Sequence, residues 1–289
     1  LVTGATGTVG SAAIADLKAR GVSVRALIRD ESKAPGLRDA GIEVVVGDLE
    51  QPHTLDNAFQ GVDKVLLITP PNPNQVIQGK NGIQAAQRTS RPFVVRLSAG
   101  AVKGMPGALP RVSGQHAETD GLLKASGLPY NIIRPHFFMQ NTMMAAQTVL
   151  SEGNVYMAME GGKIGMIDVR DIVDVAVKVL TEEGHEGKTY DLTGPASISF
   201  HDVAAALSQA LGRQVNYVNV PPEAARQGMI SIGLPEWVAD ALGEYTEAFS
   251  EGYGDFTTPD VEKVTGNPPR SYETFARDFA SVFTAVQAA

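Results

Sequence analysis

Eight residues near the start of the chain constrain the fold more than any others: Thr3-Gly4-Ala5-Thr6-Gly7-Thr8-Val9-Gly10. Its three glycines recur every third residue between an apolar segment and a helix-period segment. That is the setting in which such a loop turns from a strand into a helix and takes a pyrophosphate. Gly4 makes the tight turn, Gly7 lets phosphate approach the backbone, and Gly10 lets the helix press on the strand. Thr6, Thr8 and Val9 complete the loop whose backbone faces the ligand. The helix start adds free N–H groups and a partial positive charge. We read Leu1 to Thr3 as the tail of a buried first strand.

The pattern downstream agrees. Apolar runs at Ser23 to Ile28, Glu43 to Gly47, Lys64 to Ile68, Phe93 to Leu97 and Tyr130 to Ile133 read as strands. Helix-period segments at Val9 to Arg20, Thr54 to Phe59, Asn74 to Thr89 and His116 to Ser126 lie between them. Strand and helix in repeated alternation, with right-handed crossovers, give an α/β fold: a Rossmann-like, doubly wound parallel sheet whose ligands lie at the carboxyl ends of its strands. After Pro135 the alternation weakens. Short strands at Lys163 to Ile167, Lys188 to Leu192 and Val215 to Val218, helices at Val203 to Leu211 and Ser271 to Val286, and frequent Gly and Pro predict a smaller α/β annex on the substrate side. The expected division is 1–134 plus about 163–193 for the dinucleotide domain, and about 135–162 plus 194–289 for the annex, which would close over a substrate.

Composition removes other classes. The 289 residues carry 24 basic and 32 acidic side chains, a formal charge of −8, so nucleic acid is not an expected partner. No apolar run approaches the ~20 residues of a membrane helix. With no cysteine, disulfides, Cys-ligated metal and thiol chemistry are excluded, and the apolar start and absent thiols together favour the cytoplasm. The five histidines form no ligand pair, so no metal is expected. Nothing in the sequence fixes an oligomeric state.

Charge past the second strand selects the cofactor. An acidic residue there would accept from both ribose hydroxyls of NAD, whereas Arg29 suits a 2′-phosphate. NADP(H) is therefore favoured, with Lys33 as a second cation, while neighbouring Asp30 keeps NAD(H) open. Asp48, after the third strand, either accepts from the adenine amino group or caps the next helix, and Leu49 follows it along the ring. Thr69, just past the Lys64 to Ile68 run at the same edge, is a further cofactor-binding candidate.

These motifs, with Ser98-Ala99-Gly100-Ala101, Ser126 to Pro135, Phe138-Met139-Gln140-Asn141 and Ile167 to Asp171, resemble an NmrA-like, atypical short-chain dehydrogenase/reductase. The resemblance covers most of the first 195 residues. It implies a cofactor-dependent reductase of quinones or dyes, or the non-catalytic NADP(H) redox-sensing regulatory class of the same family. Ordinary short-chain dehydrogenases pair a Tyr with a Lys four residues on. None of the seven tyrosines here is so followed, and in the family's register the two places fall at about Val112 and His116. Reversible alcohol oxidation is thus disfavoured, and direct hydride transfer to a quinone-like or dye-like aromatic acceptor is favoured. Ser98, at the superfamily's serine place, belongs near the nicotinamide, unless it only closes a turn at Gly100. His116 is a candidate proton donor, since an unperturbed imidazole titrates near neutrality, or else it bonds the nicotinamide ribose or caps its helix. Phe137, Phe138, Met139 and Asn141, just past a strand, are candidates to line the acceptor pocket.

Overall fold

The structure, a computed structural model, describes residues 1–284. The chain divides into two compact units. One comprises residues 1–99, 114–134 and 172–190; the other comprises 100–113, 135–171 and the chain from 191 onward. These bounds differ from the expected ones chiefly at 100–113 and 163–171, both in the second unit.

In the first unit the apolar runs form β1 (Arg25–Ile28), β2 (Glu43–Val46), β3 (Lys64–Leu67), β4 (Phe93–Leu97) and β5 (Tyr130–Pro135). β1 pairs with β2, β3 with β4 and β4 with β5, all in parallel. Leu1 to Thr3 fill the gap between β1 and β3. Val2 N–H donates to Arg25 O (2.8 Å) and Thr3 N–H to Leu66 O (3.0 Å), which makes the order β2, β1, Leu1–Thr3, β3, β4, β5, followed by the strand Thr189–Leu192. Parallel strands buried on both faces read as continuous apolar runs, as Val65–Leu67 and Phe93–Val95 do.

Between the strands run α1 (Thr8–Ala19), α2 (Ala34–Asp39), α3 (Asp56–Phe59), α4 (Gln75–Arg88) and α5 (Arg111–Ala125). Leu67, Val94 and Ile132 pack on one face against Phe59, Ile83, Ala86 and Leu123 from α3, α4 and α5. Their neighbours Leu66, Val95 and Ile133 are equally buried, and alternation turns them to the other face. Both faces are covered, as a doubly wound sheet requires. Phe59, fully buried, contributes about 1.5–3 kcal/mol through burial alone.

Helix α5 begins five residues before the expected His116. Its first amide, Arg111 N–H, is held by Glu244 Oε2 at 2.6 Å and the Arg111 side chain by Glu244 Oε1. The capping group lies 133 residues away, where no local reading finds it.

The second unit pairs Asn154–Met157 with Asn216–Asn219 in parallel and Lys163–Ile164 with Ile198–Ser199 antiparallel. Its long helices Phe200–Leu211 and Glu236–Ser250 and the shorter Tyr272–Asp278 surround an aromatic core of Phe200, Tyr245, Phe249, Tyr272, Phe275 and Phe283. Helix Phe200–Leu211 is opened by a capping box: Ser199 Oγ accepts from Asp202 N–H, and Asp202 accepts from Ser199 N–H. The expected strand Lys163 to Ile167 stops at Ile164, because Gly165 N–H turns to Gly254 O and Ile167 bridges Phe138 instead. The expected last helix ends at Asp278. Phe279 packs on Phe275 (4.9 Å between ring centres) beneath the Arg170 guanidinium, and a short 3-10 turn Ala280–Phe283 follows. The expected portion beyond Thr284 lies outside the described residues. No helix among the described residues is long and apolar enough to cross a membrane.

Candidate active site

Every strand of the first unit that pairs does so in parallel, so the residues following each strand gather at one edge. The glycine loop follows Leu1–Thr3, Arg29 follows β1, Asp48 and Leu49 follow β2, Thr69 follows β3 and Ser98 follows β4.

The loop is built by two close approaches. Gly4 has φ +60°, the left-handed region that a side chain disfavours, and a Cβ on Gly10 would lie 2.2 Å from Gly4 O. Only hydrogen fits at Gly10, so α1 starts against the turn. The first helical hydrogen bond is Ser11 N–H to Gly7 O (2.9 Å), which leaves the amides of Thr8, Val9 and Gly10 ahead of it. The N-cap is Gly7, with no side-chain acceptor, and the first turn holds no acid. Helix Phe200–Leu211 fills the same position with Ser199 and Asp202, whereas α1 has no such side chains there. A dinucleotide pyrophosphate fits these donors.

Past β1, Arg29 and Lys33 are exposed. Asp30, the competing acid, accepts from Ser32 N–H (2.9 Å) and Ser32 Oγ (2.7 Å). Those two bonds, the hydroxyl's first, hold its carboxyl below the usual value. Asp48 Oδ1 accepts from Glu50 N–H (3.0 Å), closing a local turn; the cap expected of it is absent among the described residues, and the helical turn Pro52–Thr54 has no side-chain cap. Leu49 is a core residue whose carbonyl accepts from Asn81 Nδ2 (2.7 Å). Thr69 is buried, and its hydroxyl has no partner among the described residues.

At the other end of the edge lies a buried polar layer that sequence reasoning did not find. Arg96 and Ser98, two apart, share one side of the chain leaving β4; His116 and Asp120, four apart, share one face of α5. Asp120 Oδ1 accepts from Arg96 Nε (3.0 Å), and Oδ2 accepts from Ser98 Oγ (2.9 Å) and Arg134 Nε (3.2 Å). Arg96 Nη2 lies 3.0 Å from His116 Nδ1, and His116 Nε2 lies 3.0 Å from the Gln75 amide nitrogen. Arg96 and Gln75 are 0% exposed. Arginine only donates, so His116 Nδ1 accepts and the neutral ring keeps its hydrogen on Nε2. A half-turn of the Gln75 amide gives that hydrogen its acceptor, Oε1, an atom otherwise without a partner among the described residues.

Two expectations are corrected here. His116 does not titrate near neutrality: burial, and then the Arg96 charge, hold it well below 6.5. It neither caps α5 nor sits at its start. The Ser98 hydroxyl bonds Asp120 rather than closing a turn; Gly100 N–H instead donates to Pro135 O (3.0 Å). The signal for this layer was one residue, Arg96, charged within an otherwise apolar strand.

The post-β5 cluster is in the second unit. Phe137 and Met139 belong to its core, with Phe137 edge-on to Phe249. Phe138 and Asn141 are half-buried. His136 is neutral as well, since burial lowers it to about 3, while Nε2 faces Gly254 O and Nδ1 accepts from Phe137 N–H. Asp168 caps helix Val169–Thr181 by accepting from Arg170 N–H, and Asp171 pairs with Arg270.

A doubly wound sheet with an uncapped glycine-loop helix defines a dinucleotide-binding protein. The NmrA-like family matches residues 1–275. An NAD(P)H azoreductase of Xenophilus azovorans is 40% identical over 286 residues, 99% of each chain. The structure of the NADPH-dependent quinone oxidoreductase of Escherichia coli complexed with NADPH superposes with a TM-score of 0.85 at 29% identity, covering 96% of this chain and 98% of that one. Triphenylmethane reductase of Citrobacter sp. complexed with NADP(H) gives 0.86 at 27%, covering 96% and 99%. The chain belongs to the NmrA-like family.

Proposed function

We propose that this chain is an NADPH-preferring reductase that moves hydride directly to a quinone-like or dye-like aromatic acceptor without a Tyr/Lys relay. An oxidoreductase role dependent on NAD(P)H accords with the named activities of its relatives. One observation carries the finer reading: His116, at the lysine place, is buried, neutral and held between Arg96 and Gln75. The ring at that place carries no charge of its own with which to lower a donor's pKa.

Bound NADPH would supply the hydride. Thr8, Val9 and Gly10 amides hold its pyrophosphate, and Arg29, with Lys33 nearby, meets the 2′-phosphate. The engagement of Asp30 by Ser32 supports preference for NADPH over NADH. An electrophilic acceptor asks little more of the protein than orientation and exclusion of water. For a quinone, the hydride and one proton from water give the hydroquinone, so charge and atoms balance without a protein acid. On the second unit, Phe138 and Asn141 are the members of their cluster with surface left for an acceptor; Phe137 and Met139 serve the core.

The test is steady-state NADPH oxidation with a panel of small quinones, azo dyes and triphenylmethane dyes. Turnover with at least one class is expected. Tight NADP+ binding with no turnover across the panel would overturn the reductase reading and leave a cofactor sensor.

A further inference from the structure

Ser98 follows β4 at the ligand-bearing edge, and its hydroxyl hydrogen is already committed. Asp120 Oδ2 lies 2.9 Å from Ser98 Oγ. A carboxylate only accepts, so the hydrogen between these two oxygens must come from Ser98. Turning it away would leave two bare oxygens facing each other in a buried pocket, with Asp120 2% and Ser98 4% exposed. The carboxylate itself cannot swing aside. Its other oxygen is held by Arg96 Nε, and Arg134 Nε shares Oδ2. Arg96 is in turn fixed through Nη2 on His116, and His116 on Gln75.

We propose that Asp120, by taking the only hydroxyl hydrogen of Ser98, makes Ser98 Oγ an obligate hydrogen-bond acceptor at the nicotinamide end of the dinucleotide site. Ser98 then binds a donor of the cofactor's nicotinamide riboside half, a carboxamide N–H or a ribose O–H, and gives no hydrogen to an acceptor oxygen. Asp120 is a positioning residue acting through Ser98. The polarity is opposite to that of a serine that steadies a developing oxyanion, which must donate. The inference rests on the dinucleotide reading and not on any particular acceptor.

The experiment measures binding of two probes to the full chain by calorimetry: NADP+, and adenosine 2′,5′-bisphosphate, which lacks the nicotinamide riboside. Ser98→Ala should weaken NADP+ by about threefold to tenfold, the worth of one hydrogen bond, and leave the bisphosphate within about twofold. With any acceptor that supports turnover, the same variant should raise KM for NADPH and leave kcat nearly unchanged. Asp120→Asn, whose amide can offer a hydrogen to Ser98, should weaken NADP+ at least as much. Should that variant fail to melt cooperatively, Ser98→Ala still decides whether Ser98 meets the nicotinamide riboside half, because only NADP+ would then lose affinity. Unchanged NADP+ affinity, equal loss for both probes, or a fall in kcat at constant KM would each overturn the proposal. Wild-type binding without turnover would defeat the reductase reading alone and leave the binding result standing.

Discussion

The two ends of the ligand-bearing edge are built on opposite plans. At Arg29 and Lys33 the cations are exposed and flank a locally closed Asp-Ser turn. At Ser98 the polar groups are buried and bonded one to the next, from Gln75 through His116 and Arg96 to Asp120, with the half-buried Arg134 at the rim. The first plan would select a ligand by charge at little cost to the fold. The second fixes the orientation of one hydroxyl and ties it to stability, because a buried ion must keep its partner.

Removing a partner in the buried layer is the severest way to test this contrast. Asp120→Ala leaves the Arg96 guanidinium uncompensated at 0% exposure. A loss of about 3–5 kcal/mol in unfolding free energy is expected from urea titration. A loss under about 1 kcal/mol would show that the pair does not hold the layer together.

Acid provides the next largest effect. His116 lies well below 6.5 and His136 at about 3 when folded, and both rings return to about 6.5 on unfolding. The unfolded chain therefore binds more protons below that pH. The stability contributed by the neutral rings is whole above about pH 6.5 and declines as the pH falls, by about 1.4 kcal/mol per unit for each ring until its folded value is reached. Urea midpoints between pH 7.5 and 5 check this, and His116→Gln should reduce the slope by one ring's share. A slope unchanged in that variant would mean that the layer tolerates a protonated ring.

At the exposed end the effect is smaller and falls on binding. Arg29→Ala should cost roughly 1.5–3 kcal/mol of NADPH affinity, the worth of a charged hydrogen bond, with NADH affinity nearly unchanged and stability within about 0.5 kcal/mol. Equal losses for both cofactors would remove the phosphate role and with it the contrast between the ends.

Legibility in the sequence follows the same division. The glycine loop and Arg29 were readable as candidates because each would act through its own backbone or its own charge, at a place set by the preceding strand. The Ser98 layer was not, since its members come from α4, β4, α5 and β5 and meet only when those elements pack. His116 was readable as a residue at the right place, yet its protonation is set by Arg96 and burial, which no spacing encodes. Phe137 and Met139 stood at a strand's carboxyl end as expected, but Phe249 and the rest of the second core claim them.

By itself, the sequence determined the alternating strands and helices, the phosphate-binding loop, the cation past the second strand and the missing Tyr/Lys pair. All of these are local or periodic, so a short window contains their cause. Tertiary structure alone decided that α5 starts on Glu244, that His116 stays neutral and that Ser98 points its hydrogen at Asp120. Each of these turns on a contact whose energy depends on burial and on a partner supplied by packing.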